Sequence, residues 1–84
     1  MNRDSAAGEK EIVDAIVEWL RNELEDFEVS EEDNFLDIGG HSLTFSKMNR
    51  YLGEKFGVSL DARKTYEGTL REAAIARRDT VAHQ

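Results

Sequence analysis

Between Ile12 and Leu24 apolar residues return every three or four positions, through Ile12, Val13, Ile16, Val17, Leu20 and Leu24, with Trp19 at one margin of the stripe. That spacing predicts a helix over about 7–24 with one buried side. Its other face carries Glu11, Asp14, Glu18 and Arg21, most simply a solvated surface, with an acidic docking face as the alternative. From 25 to 41 no period is sustained, and a connection of that length is usually functional or disordered. An ordered loop is favoured here. Phe27, Val29, Phe35, Leu36 and Ile38 are apolar enough to pin it to a core, and Ser30-Glu31-Glu32-Asp33 suits one short turn capped by Ser30. Helical spacing resumes at Ser42. Laid out at about 100° per residue, Phe45, Met48, Leu52 and Phe56 share a core face with Asn49 at its edge, while Leu43, Lys47, Arg50 and Glu54 lie opposite. Gly57 then supplies the stop.

Val58 and Leu60 continue the apolar pattern, and Asp61 can cap a short helix through about Tyr66, whose ring packs inward or lines a partner surface. Thr69-Leu70-Arg71-Glu72 has the spacing of a capping box, so a last helix is expected from Leu70 to about Arg78. It should bury Leu70, Ala74 and one of Ala73 or Ile75, with Arg77 and Arg78 complementing the negative end of its dipole. No internal repeat and no convincing strand is found. The fold class read from the pattern is all-α: a four-helix bundle, three longer helices plus one short, with a long loop between helices 1 and 2. It forms a single domain over 1–84, ordered over about 7–78 with flexible termini.

Composition narrows what such a bundle can do. Eighty-four residues make one small domain, near the size at which a single core just suffices. Without cysteine there is no disulfide and no thiolate metal site, so thiol chemistry would need a bound group. A net charge of -7 argues against nucleic acid or an anionic membrane as partner and leaves proteins as the expected partners. The polar start Met1-Asn2-Arg3-Asp4-Ser5 and the lack of a membrane-length apolar run give a cytoplasmic expectation. One domain with no Pro/Gly/Ser-rich linker is expected to be a stand-alone protein, and a monomer, rather than a module of a megasynthase.

The chemistry concentrates at Gly39-Gly40-His41-Ser42-Leu43. Paired glycines permit positive φ and keep side chains away from the next residue. Ser42 stands where a helix begins, a position that suits an N-cap or a phosphorylated serine equally, because unpaired first-turn amides favour either oxygen. A catalytic serine fits poorly. His41 and Ser42 diverge as neighbours at a helix start, and Thr44 stands where a nucleophile elbow needs glycine. His83, the other histidine, is too remote for a metal pair with His41, and Phe35 and Thr44 spoil a calcium loop on Asp33 and Asp37.

Read outward, Asp33-Asn34-Phe35-Leu36-Asp37-Ile38-Gly39-Gly40-His41-Ser42-Leu43 resembles the core motif of the peptidyl carrier proteins, the thiolation domains of nonribosomal peptide synthesis within the wider phosphopantetheine-binding carrier superfamily. Through Phe56-Gly57-Val58-Ser59-Leu60 and Tyr66-Glu67-Gly68-Thr69-Leu70 the similarity covers most of residues 10–76. It implies a carrier and not a catalyst. Covalent 4′-phosphopantetheine would sit on Ser42, with Gly39, Gly40 and His41 as motif context, and an aminoacyl or aryl group would ride on its thiol as a thioester in antibiotic-type assembly. The implied partners are a phosphopantetheinyl transferase, an adenylating enzyme, and condensing or tailoring enzymes. Leu43, Lys47, Arg50 and Tyr66 are the candidate contacts. Leu43 is an apolar side chain among charges, and Lys47 and Arg50 either select acidic partners or simply solubilise the helix. Thr44, Asn49 and Ala73 depart from commonly larger or aliphatic residues and are expected to thin the core. Two rivals remain: an acyl carrier of fatty-acid or polyketide synthesis, which more often shows Asp before the serine and an acidic second helix, and an unmodified helical adaptor in which Ser42 is only a cap.

Overall fold

A computed structural model describes residues 8–80 of the chain, so of the ends expected to be frayed or flexible, 1–7 and 81–84, with His83, lie outside the described residues; Gly8, Asp79 and Thr80, expected to belong to those ends, are instead held, Gly8 as the cap of the first helix and Asp79 and Thr80 by backbone pairing with Val58 and Gly57. Two long helices lead, α1 (Glu9–Leu24) and α2 (Ser42–Phe56). Two six-residue helices follow, α3 (Ala62–Glu67) and α4 (Leu70–Ile75). The all-α bundle with its long first loop stands, and each helix begins within two residues of where the pattern puts it. Ile12, Val13, Ile16, Val17 and Leu20 turn the α1 stripe into the core, where they meet Met48 and Leu52 of α2, Val29 and Phe35 of the loop, and Leu70, Ala73 and Ala74 of α4. Trp19 stacks on Tyr51 with centroids 6.3 Å apart, closing the α1–α2 seam.

The last helix is shorter than its sequence pattern, and the reason is a strand pair the pattern does not show. Val58–Ser59 (β1) pairs antiparallel with Arg78–Asp79 (β2), and the Thr80 amide donates to the Gly57 carbonyl at 2.8 Å. To reach that ladder the chain must leave the helix after Ile75, so Arg78 is extended and pairs with Asp61 at 3.0 Å instead of serving the helix end. Arg77 does serve it, donating to the Ala74 carbonyl. Two-residue strands bury too little to leave an alternating signature.

The 25–41 loop is ordered by its own polar side chains. Asp26 accepts from the Glu28 amide and holds Phe27 at the tip of a turn, 72% exposed, rather than in the core. Ser30 caps its short turn as anticipated, accepting from the Glu32 amide, while Asp33 accepts from the Ser30 amide. Val29 and Phe35 are the buried pins and Ile38 a partial one, whereas Leu36 points outward. Asn34 accepts from the amides of both Leu36 and Asp37, and the tight reversal this makes sends Phe35 inward and Leu36 out. Arg71 of α4 pairs with Glu31 and Glu32, clasping the acidic stretch of the loop to the last helix.

Candidate functional site

The loop delivers the chain to α2 through a fixed sequence of bonds. Ile38, Gly39 and Gly40 donate in turn to the carbonyls of Asn34, Leu36 and Phe35. Gly39 takes φ +102, a conformation side chains resist, with open space where its Cβ would be. Gly40 has a different role: a Cβ there would lie 2.5 Å from the Phe35 ring. Its bare face is therefore turned to the core and not toward Ser42, so the second glycine secures the approach of the loop to Phe35 instead of clearing space around the hydroxyl. Phe35 is held in turn by Tyr66, stacked at 5.9 Å, and by the edge of Phe45 at 6.1 Å.

His41, not Ser42, is the N-cap of α2. Its backbone is extended and its carbonyl accepts the first helical bond, from Phe45 at 2.8 Å, so Ser42 becomes the first helical residue with its side chain exposed. The His41 ring makes no capping bond, and the first turn holds no acidic residue. By contrast Asp61 caps α3 and Thr69 with Glu72 caps α4 by side-chain hydrogen bonds. First-turn amides and the helix dipole thus face solvent beside the Ser42 hydroxyl, favouring an attached phosphate by about 0.3–1 kcal/mol at an exposed site. These residues fit a phosphodiester: an open hydroxyl, a helix end without its own anion, and neighbours that leave room.

Of the other candidate residues, Leu43 is 62% exposed and Arg50 is exposed, reaching Glu54 on its own helix at 4.0 Å. Lys47 lies on the same face but is paired with Glu23 of α1, a contact 24 positions away that no local pattern reveals. Tyr66 is half-buried in the aromatic cluster and makes an edge contact with Phe45 at 5.6 Å, so inward packing, the first of its two readings, describes most of its ring. Thr44 and Ala73 are buried, as small residues in a tight seam. Asn49 does more than sit at a core edge: it accepts from the Leu60 amide and donates to the Leu60 carbonyl, tying α2 to the residue that follows β1. The residue given no role by sequence reasoning is Asn34. Besides its two loop bonds it donates to the carbonyls of Tyr66 and Gly68, joining the motif to the α3–α4 corner. A partner 34 residues distant leaves no trace in local spacing. Among the described residues no cluster of His, Cys, Asp or Glu could hold a metal ion, and no helix is long and apolar enough to cross a membrane.

The family model described as the phosphopantetheine attachment site matches residues 10–74. The chain belongs to that family: it is a phosphopantetheine-dependent carrier protein, a non-catalytic helical body for a covalently attached 4′-phosphopantetheine arm and a client of the transferase that installs it. No curated protein and no solved structure matches the chain significantly.

Proposed function

We propose that Ser42 is the attachment residue and that the cargo is an aminoacyl or aryl group, making this a peptidyl carrier of nonribosomal peptide or hybrid natural-product assembly. The observation that carries the first part is the exposed Ser42 hydroxyl at an α2 end with no side-chain cap, directly after the Gly39-Gly40 approach. A phosphopantetheinyl transferase would move the arm from coenzyme A to this oxygen: the hydroxyl gives up its proton and forms the new phosphoester bond as the pyrophosphate linkage of coenzyme A breaks and adenosine 3′,5′-bisphosphate leaves. When bound, the arm supplies the thiol that the cysteine-free chain lacks.

The peptidyl assignment is supported by the character of α2. Lys47 and Arg50 make this segment basic on a protein of net charge -7, suited to acidic surfaces on an adenylating enzyme and on later condensing or tailoring enzymes, and His41 stands before the serine where acyl carriers more often have Asp. Leu43, with the exposed part of Tyr66, adds a small apolar contact of the kind transient encounters use. An acyl carrier of fatty-acid or polyketide synthesis is the competing reading.

Two measurements decide between these. Incubation with coenzyme A and a broad-specificity transferase should add one arm to the wild type and none to Ser42→Ala, with both keeping the same helical circular dichroism. An unmodified wild type, or an arm mapped to another residue, would reject Ser42. Loading of the arm-bearing protein by adenylating enzymes but not by acyltransferases is the peptidyl outcome, and the reverse selects the acyl carrier.

A further inference from the structure

The turn that follows α1 holds Phe27 72% exposed, more than any other large apolar side chain among the described residues. A single exposed apolar residue is ordinary, but this one is held out by a rigid frame. Glu25 ends α1 at φ +53, a left-handed conformation that favours glycine. The amides of Glu25 and Asp26 both donate to the Arg21 carbonyl, while the Asp26 carboxylate and carbonyl accept from the Glu28 and Val29 amides. Arg21 Nε donates in turn to the Val29 carbonyl at 3.0 Å, and the Val29 side chain is buried. Both ends of the turn are thus fixed to α1 with the ring at its tip, so a partner meets an aromatic that needs no ordering.

Charge says what kind of surface meets it. Glu25, Asp26 and Glu28 flank Phe27, and none of the three is in an ion pair among the described residues. Glu31 and Glu32, a few positions on, are clasped by Arg71. The loop therefore uses two of its carboxylates to hold the fold and leaves three around an exposed ring without a cation, a group that repels an anionic membrane and attracts Lys and Arg. The position matters as well. Glu23 pairs with Lys47, and Leu24 borders a surface hollow with His41 and Leu43, so the turn lies at the end of the bundle where α2 begins, on the α1 side.

We propose that the 25–28 turn is a second docking element, opposite in charge to α2, that seats Phe27 in an apolar socket rimmed by Lys or Arg on the enzyme that loads the arm. The inference rests on Ser42 being the attachment residue. The transferase works on the Ser42 hydroxyl itself, so it must close over the start of α2. The loading enzyme works on the thiol at the far end of the arm, so its body stands off from Ser42 and rests against the end of the bundle. An aromatic anchor inside a charged rim suits that contact: the buried ring supplies affinity, and the rim supplies orientation and on-rate.

The test uses the arm-bearing full chain with whichever enzyme loads it, adenylating or acyl-transferring, and the arm-free chain with the transferase as control. Phe27→Ser should raise the KM for loading by about tenfold or more with little change in kcat, and Phe27→Leu should restore most of the loss. The transferase KM should stay at the wild-type value. The double variant Glu25→Gln with Glu28→Gln, which spares the Asp26 carboxylate that holds the turn, should raise the loading KM at low ionic strength, the difference closing as salt rises. Urea midpoints should match wild type throughout, because Glu25, Phe27 and Glu28 are exposed. A loading KM unchanged by Phe27→Ser, or raised equally with that of the transferase, overturns the docking element. So does a lowered midpoint, which would make Phe27 part of the packing. Sedimentation in which wild type self-associates and Phe27→Ser does not would give the ring to a second copy of this chain and overturn it too. A chain that takes no arm on Ser42 overturns the attachment reading and this one with it, a result the mass spectrum gives before any loading is measured.

Discussion

The ring of Phe35 occupies the space in which any side chain at residue 40 would have to stand, with its carbon atoms 2.5–2.6 Å from the Cβ position of Gly40. Because Phe35 is fully buried and braced by Tyr66 and Phe45, the ring cannot swing aside. The geometry at the start of α2 is thereby set from beneath, by an aromatic cluster, and not by capping of the helix itself.

Gly40→Ala should accordingly be destabilising. Overpacking of this kind costs about 1–3 kcal/mol, read as a lower midpoint in urea with an unchanged slope. Arm transfer should slow as well, since the new methyl displaces the loop that presents Ser42. A midpoint equal to wild type would mean that Phe35 yields more easily than its packing indicates.

Asn34→Ala removes a side chain that bonds two loop amides and the carbonyls of Tyr66 and Gly68. Leaving part-buried groups without partners costs roughly 1–3 kcal/mol. Asn49→Ala, which releases only Leu60 at the other end of α2, is the comparison. Both variants should lose stability, but only Asn34→Ala should raise the KM of the transferase for the carrier, because only that residue anchors the Ser42 approach. Equal transfer kinetics for the two would assign Asn34 a purely structural role.

Thr69→Ala deletes the side-chain acceptor for the Glu72 amide in a helix of six residues. Loss of such a cap costs about 0.5–2 kcal/mol. A helix this short has little else to nucleate it, so amide hydrogen exchange across Leu70–Ile75 should accelerate more than across α1. Unchanged protection there would show that burial of Leu70, Ala73 and Ala74 holds the segment without its cap.

Arg50→Glu tests the basic face where it is least entangled, since Arg50 is exposed and pairs only weakly with Glu54. If, as proposed, an adenylating enzyme with an acidic surface is the partner, its association should slow by about tenfold or more at low ionic strength, with the difference shrinking as salt rises. Lys47 is a poorer probe because its substitution also breaks the tie to Glu23. A salt-independent change, or none, would return Lys47 and Arg50 to the role of solubilising charges.

Much of this protein was settled by local pattern. The apolar stripe of α1, the Ser42–Phe56 span of α2, the Gly57 stop, and the caps at Asp61 and Thr69 follow from periodicity and from side chains that satisfy amides three residues away, and both signals lie within a few positions of where they act. The motif from Asp33 to Leu43 identified the carrier family for the same reason, being contiguous. Tertiary structure alone decided the rest. It turned Gly40 toward Phe35, tied Asn34 to Tyr66 and Gly68, paired Lys47 with Glu23, exposed Phe27 and Leu36, and ended α4 early to build the β1–β2 ladder. Each of those outcomes depends on a partner distant along the chain or on which of two adjacent residues wins a place in the core, and neither is written in the spacing of neighbours.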